Sequence, residues 1–262
     1  MRILFSGDVA WNTGRAALAA ALPEIKKNFG PFDFTVINCE NAAHGKGMTD
    51  RIFEDFISLG VDAMTSGNHI WDKPAFFSTL DSDMRVFRPA NYAPSCPGRG
   101  HGIIERKGKK LGIINVEGQV FMPPIDSPFS CADNLVDELK ASAGDNLPII
   151  VDFHAEATSE KQAMAYYLDG KVSAVLGTHT HVQTADAKIL RHGTAYISDV
   201  GMTGAHDGIL GVKYESVMQK FLTGLPCKFE ASEEGAAFNG VILEIDEVTG
   251  LALSIKPIQL EI

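Results

Sequence analysis

The sequence predicts an α/β sandwich of three or four layers, with βαβ units first and antiparallel strands last. Short apolar runs alternate with stretches of helical length over the first 180 residues or so, which is the pattern of right-handed βαβ crossovers. The final third turns β-rich, with runs at Gly240 to Ile245 and Leu251 to Ile258. A third observation concerns where the apolar runs stop: several close on a carboxylate, amide or imidazole residue. Strands of a mostly parallel sheet end at a common edge, and ligands bind outside their carboxyl ends.

Arg2 to Phe5 reads as a first strand, with Gly7-Asp8 as its exit. Gly14 to Asn28 reads as a helix through Leu18, Leu22 and Ile25, which Pro23 is expected to kink or split. Phe32 to Asn38 is a second strand and runs into Cys39-Glu40-Asn41; Ala42 to Met48 is a loop. Thr49 has the character of an N-cap for a helix through Leu59. Val61 to Thr65 is a third strand, ending in Ser66-Gly67-Asn68-His69. Gly102 to Arg106 and Lys110 to Val116 form a hairpin around Lys107-Gly108-Lys109. A helix is expected from Cys131 to Ser142, then a buried strand from Pro148 to Phe153 leading into His154. Thr158 is expected to cap a helix through Leu168, and Val172 to Leu176 is the next strand. Short strands at Ala187 to Leu190, Ala195 to Ser198 and Cys227 to Phe229, a Gly-rich loop from Gly201 to Gly211 and a helix near Tyr214 to Phe221 complete the chain. No repeat, linker or low-complexity tract divides it, so residues 1–262 are expected to form a single domain.

The formal net charge of −10 and a pI of about 5.2 disfavour a broad electrostatic grip on nucleic acid. Four widely spaced cysteines without a CxxC pair read as reduced thiols of a cytoplasmic protein. The opening reaches Asp8 too early for a secretory signal, and no apolar run is long enough to span a membrane.

The stretch that organises the chemistry is Gly177-Thr178-His179-Thr180-His181. On an extended segment, two histidines two residues apart face one side. Asp8, Glu40-Asn41, Asn68-His69 and His154 fall at the ends of other predicted strands and would join them as a metal site with room for two ions. Taken singly each has a plainer reading: Asp8 as a cap, Asn68 as a turn former, His154 as a hydrogen-bonded core histidine, one of His179 and His181 as structural and the other as exposed. Their convergence on strand ends favours the site.

Gly67-Asn68-His69, His154 and Gly177 to His181 resemble the GNH, H and GHxH blocks of the calcineurin-like metallophosphoesterases, with Thr178 as one extra residue in the last block. The resemblance is closer to the YmdB-like subgroup, through Asn38 to Gly47, Gly67 to Lys73, Arg88 to Asn91, Asp152 to Glu160 and Gly177 to Asp186. It implies a metallophosphoesterase-like αββα sandwich of mixed sheets flanked by helices. It also implies two metal positions: Asp8, Glu40, Asn41 and His181 at the first, and a bridging Glu40, Asn68, His154 and His179 at the second. His69 would stand beside them as the acid catalyst. The usual Asp-x-His opening is Asp8-Val9-Ala10 here, the usual bridging Asp is Glu40, and Asn41 takes the place of the missing imidazole ligand.

The chemistry follows from the residue types. Two divalent ions, two carboxylates and one hydroxide leave about one net positive charge by formal counting, which suits a phosphodiester monoanion. A metal lowers the pKa of bound water from 15.7 to about 7, which supplies hydroxide as nucleophile, and His69 would protonate the leaving oxygen. Imidazole, amide and carboxylate ligands suit iron or manganese, with zinc also compatible. The expected protein is thus a dinuclear-metal phosphodiesterase. The resemblance implies 2′,3′- or 3′,5′-cyclic AMP-type substrates and a regulatory role in bacteria. Its rivals are a phosphomonoesterase or protein phosphatase on the same site, and a metal- or nucleotide-binding regulator. A homo-oligomer and an RNA-processing protein partner are compatible with these readings. Asp152, Glu156 and Glu160 are candidates for orienting imidazoles. Arg15, Lys46, Lys73 and Arg88 are the nearby cations, His44 lies in the adjoining loop, and Gly201 to Gly204 with Asp207-Gly208 is a candidate anion nest.

Overall fold

A computed structural model describes residues 1–262. In chain order the elements are β1 (Arg2–Val9), α1 (Trp11–Phe29), β2 (Phe34–Asn38), α2 (Asp50–Ser58), β3 (Ala63–Thr65), α3 (Phe77–Ser82), β4 (His101–Arg106), β5 (Lys109–Glu117) and α4 (Pro128–Ala143). They continue with β6 (Ile149–His154), α5 (Thr158–Tyr167), β7 (Ala174–Thr178), β8 (Lys188–Ile189), β9 (Ala195–Ile197), β10 (Met202–Ala205), α6 (Tyr214–Thr223), β11 (Ala236–Ile245) and β12 (Ala252–Glu261).

The strands form two six-stranded mixed sheets, as the family resemblance implies. The first has the order β12-β11-β10-β1-β2-β3, and the second β4-β5-β6-β7-β9-β8. In each, the βαβ-connected strands run parallel and antiparallel strands finish the sheet. Alternation along the strands decides what faces what. Ile3 and Phe5 of β1 join Val36, Ile113, Ile150 and Leu176 in a core between the sheets. Leu4 and Ile37 point the other way, against Leu18 and Leu22 of α1 and Phe53 and Phe56 of α2. Val151 and Phe153 of β6 face outward onto Val136 of α4 and Met164 of α5. The layers are therefore helix, sheet, sheet, helix, and strands buried on both faces read as near-continuous apolar runs.

Thr49 caps α2 as its sequence indicates, its hydroxyl accepting from Ile52 N at 3.4 Å. The β4–β5 turn is built on Lys107 and Gly108, both at positive φ. Other expectations shift. Pro23 lies inside a continuous α1. Thr158 is the first residue of α5, not its cap, and makes no capping hydrogen bond. The Gly-rich stretch from Gly201 contains β10, because Asp8 and Val9 of β1 offer a parallel edge to Met202 and Thr203. Cys227 to Phe229 pairs with no strand.

A candidate metal centre between two sheet edges

Eight of the residues singled out above come from five strand ends on two sheets, and the structure brings them together. Asp8 lies in β1, Glu40 and Asn41 follow β2, and Asn68 and His69 follow β3, all from the first sheet. His154 ends β6, and His179 and His181 follow β7, from the second. Asp8, Glu40 and His154 are fully buried and offer ligand atoms within 4.8 Å of one another.

The His179–Thr180–His181 stretch is not extended. β7 ends at Thr178, and His179 (φ 100°) and His181 (φ 63°) are in left-handed or nearby backbone that most residues avoid. A hub of buried groups holds this turn. Asp199 Oδ2 accepts from Thr180 N (2.9 Å), Thr180 Oγ1 (2.7 Å) and Lys161 Nζ (2.8 Å). Both Lys161 and Asp199 are 1% exposed. Neither was singled out from sequence. Asp199 could have been found by the strand-end rule that found Asp8. Lys161 sits three and four residues before Met164 and Ala165 on the buried face of α5, a cation in an apolar stripe.

Hydrogen bonds fix the histidine tautomers. Thr178 Oγ1 donates to Asp152 Oδ1 (2.7 Å), so it accepts from His154 Nδ1 (2.9 Å) and turns Nε2 toward the site. The extra residue in the histidine block thus has a task. Asp152 also accepts from Asn38 Nδ2 and the Thr65 hydroxyl. Glu156 Oε2 lies 3.1 Å from His179 Nε2, which turns His179 Nδ1 inward to 3.1 Å from His154 Nε2. Glu160, by contrast, accepts from Gln119 N and Val120 N and touches no imidazole.

On the first sheet, backbone turns do the holding. Trp11 N donates to Asn41 O, and Asn41 Nδ2 to Gly45 O, each at 3.0 Å. The Asn41 Oδ1 therefore faces His181 Nε2 at 3.2 Å, and His181 Nε2 is 4.0 Å from Asp8 Oδ1. Gly67 has to be glycine: a Cβ there would fall 2.2 Å from Glu40 Oε2 and 2.3 Å from His154 Nε2. His69 N donates to Glu40 Oε1 (3.0 Å), and its Nδ1 meets Asp72 Oδ2 (3.1 Å).

The electrostatics divide the two buried acids. Burial pushes both upward, but His154 beside Glu40 and His69 nearby hold Glu40 down at about 2, whereas Asp8 stays raised despite His181 and His154. Burial would push His154 down; Glu40, Asp8 and Asp152 overcome it and raise it to about 10. His179 is lowered to about 3 by burial and by His154, and is neutral at pH 7. Burial drives the Cys39 thiol up, with Glu40 adding to it, which fits packing and not redox chemistry.

The residues fit metal ions. Four side-chain atoms here are buried without a hydrogen-bond partner: Asp8 Oδ1, Glu40 Oε2, Asn68 Oδ1 and His181 Nδ1. Glu40 Oε2 has His154 Nε2 at 2.5 Å but outside hydrogen-bond geometry. Orphaned buried polar atoms are rare and call for an explanation. A cavity bordered by two of these residues has a volume of about 280 Å³ and is lined by Glu40, Asn41, His69, Glu156, His179, Thr180, His181 and Leu210. No Lys or Arg lines it. Arg15 instead donates to Ala42 O and Asn12, Arg88 is buried on the carbonyls of Gly98, Pro89 and Ala90, and Lys46 lies 4.0 Å from Asp72. His44 is exposed. The candidate anion nest at Gly201 to Gly204 is occupied by β10.

Layer order and strand-end donors define a metallophosphoesterase-type α/β sandwich. The chain belongs to the YmdB-like protein family, whose sequence model matches residues 4–258. A Bacillus subtilis protein named 2′,3′-cyclic-nucleotide 2′-phosphodiesterase is 49% identical over 98% of this chain and 96% of its own. A Mycoplasma pneumoniae crystal structure described as a novel phosphatase superposes with a TM-score of 0.92 at 33% identity, covering 100% of this chain and 93% of that one. A Staphylococcus aureus protein provisionally named a 5′-nucleotidase shares the fold alone, with a TM-score of 0.60 and 16% identity over 98% of this chain and 54% of its own.

Proposed function

We propose that this protein is a metal-dependent phosphodiesterase that opens cyclic nucleotides, with the 2′,3′-cyclic type as first candidate and the 3′,5′-cyclic type as second. That it is a phosphoric ester hydrolase rests on its family and on the names of its relatives. Residues 1–262 act as one domain in this reading. The supporting observation is the set of four orphaned buried atoms from four chain segments, two of which, Glu40 and His181, line one cavity.

Asp8, Glu40, Asn41 and His181 would hold one ion, and Glu40, Asn68, His154 and His179 a second, with iron or manganese favoured by the donor set. When bound, such ions lower the pKa of a water to about 7 and polarise a phosphoryl oxygen. Glu40 would serve both positions, a role supported by its two oxygens facing different neighbours, Oε1 toward His69 N and Oε2 toward His154. Thr178 and Glu156 engage His154 Nδ1 and His179 Nε2, so His154 Nε2 and His179 Nδ1 are the nitrogens turned toward the proposed ions. His69 donates a proton to the leaving oxygen, with Asp72 orienting its ring.

Charge selects the substrate. The cavity holds no Lys or Arg, and Glu156 adds a further carboxylate at its edge. A diester brings one negative charge to a site with about one net positive charge, whereas a monoester dianion brings a second with no cation to meet it. The phosphomonoesterase reading is kept as the second because two relatives carry phosphatase names. The test is kcat/KM for a 2′,3′-cyclic nucleotide against the matching nucleoside monophosphate, on protein reloaded with one metal. Preference for the monophosphate moves the reading to the phosphomonoesterase. Metal counting by anomalous scattering at several absorption edges checks the two ions and their identity.

A further inference from the structure

Leu210 is the one apolar side chain lining the cavity, which is otherwise carboxylate, amide, hydroxyl and imidazole. It is 49% exposed, so the folded chain gives it little to pack on. Its backbone is also unfavourable. Ile209 and Val212 form an antiparallel bridge with reciprocal bonds of 2.8 and 3.0 Å, and the two residues between them, Leu210 and Gly211, have φ of 53° and 85°. That is the pattern of a two-residue type I′ turn, whose central positions favour Asn, Asp and Gly. A γ-branched apolar residue at the first of them adopts a conformation it rarely visits.

The turn at Lys107-Gly108 is an internal control. It has the same pair of positive φ values, 51° and 76°, and carries an exposed lysine in solvent. The Leu210 turn is instead clamped from behind. Gly211 O accepts from Ser232 N at 2.9 Å, and a Cβ on Gly211 would stand 3.2 Å from Met202 Sδ and 3.5 Å from Trp11 Cδ1. A strained residue whose side chain is half in water and presented rigidly over a polar cavity has its compensation outside the folded chain. Strain of this kind gathers at ligand clamps.

Resting on the diesterase reading, we infer that Leu210 is a specificity-determining residue that packs against the flat face of the substrate's nucleobase while the phosphate lies among the histidines. An apolar branched side chain offers a base a surface without hydrogen-bond readout, so the platform favours the presence of a base over its identity.

The experiment compares KM for a 2′,3′-cyclic nucleotide with KM for an abasic ribose 2′,3′-cyclic phosphate in wild type, Leu210→Asn and Leu210→Met, with melting temperatures for each. Covering the exposed half of a leucine corresponds to a change of about 5- to 10-fold. Leu210→Asn is therefore expected to raise the nucleotide-to-abasic KM ratio by about that factor, with a melting temperature no lower than wild type, because Asn accepts positive φ. Leu210→Met is expected to keep the wild-type ratio. A ratio unchanged in Leu210→Asn, or an equal rise for both substrates, overturns the inference. Wild-type protein that ignores cyclic nucleotides but hydrolyses nucleoside monophosphates would sink the diesterase reading instead. The same ratio measured on nucleoside monophosphate and ribose phosphate then decides Leu210 by itself.

Discussion

On the side of the first sheet the proposed donors are oxygens, those of Asp8, Glu40, Asn41 and Asn68; on the side of the second they are the ring nitrogens of His154, His179 and His181. The two sides are also held differently. The oxygens are fixed by main-chain turns, such as Trp11 N to Asn41 O and Asn41 Nδ2 to Gly45 O. The imidazoles are fixed by buried side chains behind them: Thr178 and Asp152 for His154, Glu156 for His179, and the Lys161–Asp199 pair for the turn itself. The difference follows from the groups. A carboxylate needs only to be aimed, whereas an imidazole must be aimed and also kept in one tautomer.

The largest expected effect comes from removing the residue proposed to serve both ions. Glu40→Gln is expected to keep the fold but lose metal at both proposed positions, because an anion that screens two cations is gone. Diesterase activity should collapse, and metal content per chain should fall with it. Retention of full metal content with near-normal turnover would sink the bridging role.

Next comes the split between a ligand and an acid. His179→Ala is expected to lose metal. His69→Ala is expected to keep metal and lose rate by about 10²- to 10⁴-fold, the range of general acid–base catalysis. That loss should shrink for p-nitrophenolate, a leaving group that needs no proton. Equal losses for good and poor leaving groups would assign His69 to phosphate positioning.

Much of this was legible in the sequence because strand ends announce themselves. Asp8, Glu40, Asn68 and His154 each close an apolar run, and Thr49 and Lys107-Gly108 carry their cap and turn chemistry locally. What was not legible depends on distant pairing. β1 pairs with β10 and β11 some two hundred residues later, so β10 does not follow from local pattern, and the two mixed sheets were legible only through the family resemblance. The left-handed backbone of His179 and His181 was hidden for the same reason, since Asp199 holds it from another strand end. Leu210 passed unremarked because a leucine in a loop carries no signal until its φ and its neighbours are known.

A third effect contrasts two glutamates near His154. Glu40 is close to it and is held at about 2; Glu117, its partner in the β5–β6 register, is buried with Oε2 unpaired and is pushed by burial to about 7. The folded protein keeps the Glu117 proton to higher pH than the unfolded chain does. Its contribution to stability is therefore complete below the usual carboxylate range and is lost as pH rises through about 7. The loss amounts to about 3 kcal/mol, roughly a hundredfold in the folding equilibrium. Denaturant melts of metal-free protein at pH 5 and pH 8 should show that decline in wild type and a flatter response in Glu117→Gln. Equal slopes would mean that Glu117 does not carry the buried proton.

The smallest effect tests the holding of a single ring. Thr178 Oγ1 gives its proton to Asp152 and so can only accept from His154 Nδ1. Valine matches threonine in shape but offers no acceptor, so Thr178→Val leaves His154 Nδ1–H unpaired and its tautomer free, while β7 keeps its packing. Partners of this kind typically change metal affinity by about 10- to 100-fold when removed. The lower end is expected here, because Gly67 and Glu40 still confine the His154 ring. Chelator competition on stripped and reloaded protein should show metal binding about tenfold weaker in Thr178→Val. Turnover at saturating metal should stay near wild type, since no reacting atom is touched, and Thr178→Ser should restore the affinity by returning the hydroxyl. If Thr178→Val binds metal as tightly as wild type, the ring is held by packing, and the two sides of the site differ less than their hydrogen bonds imply.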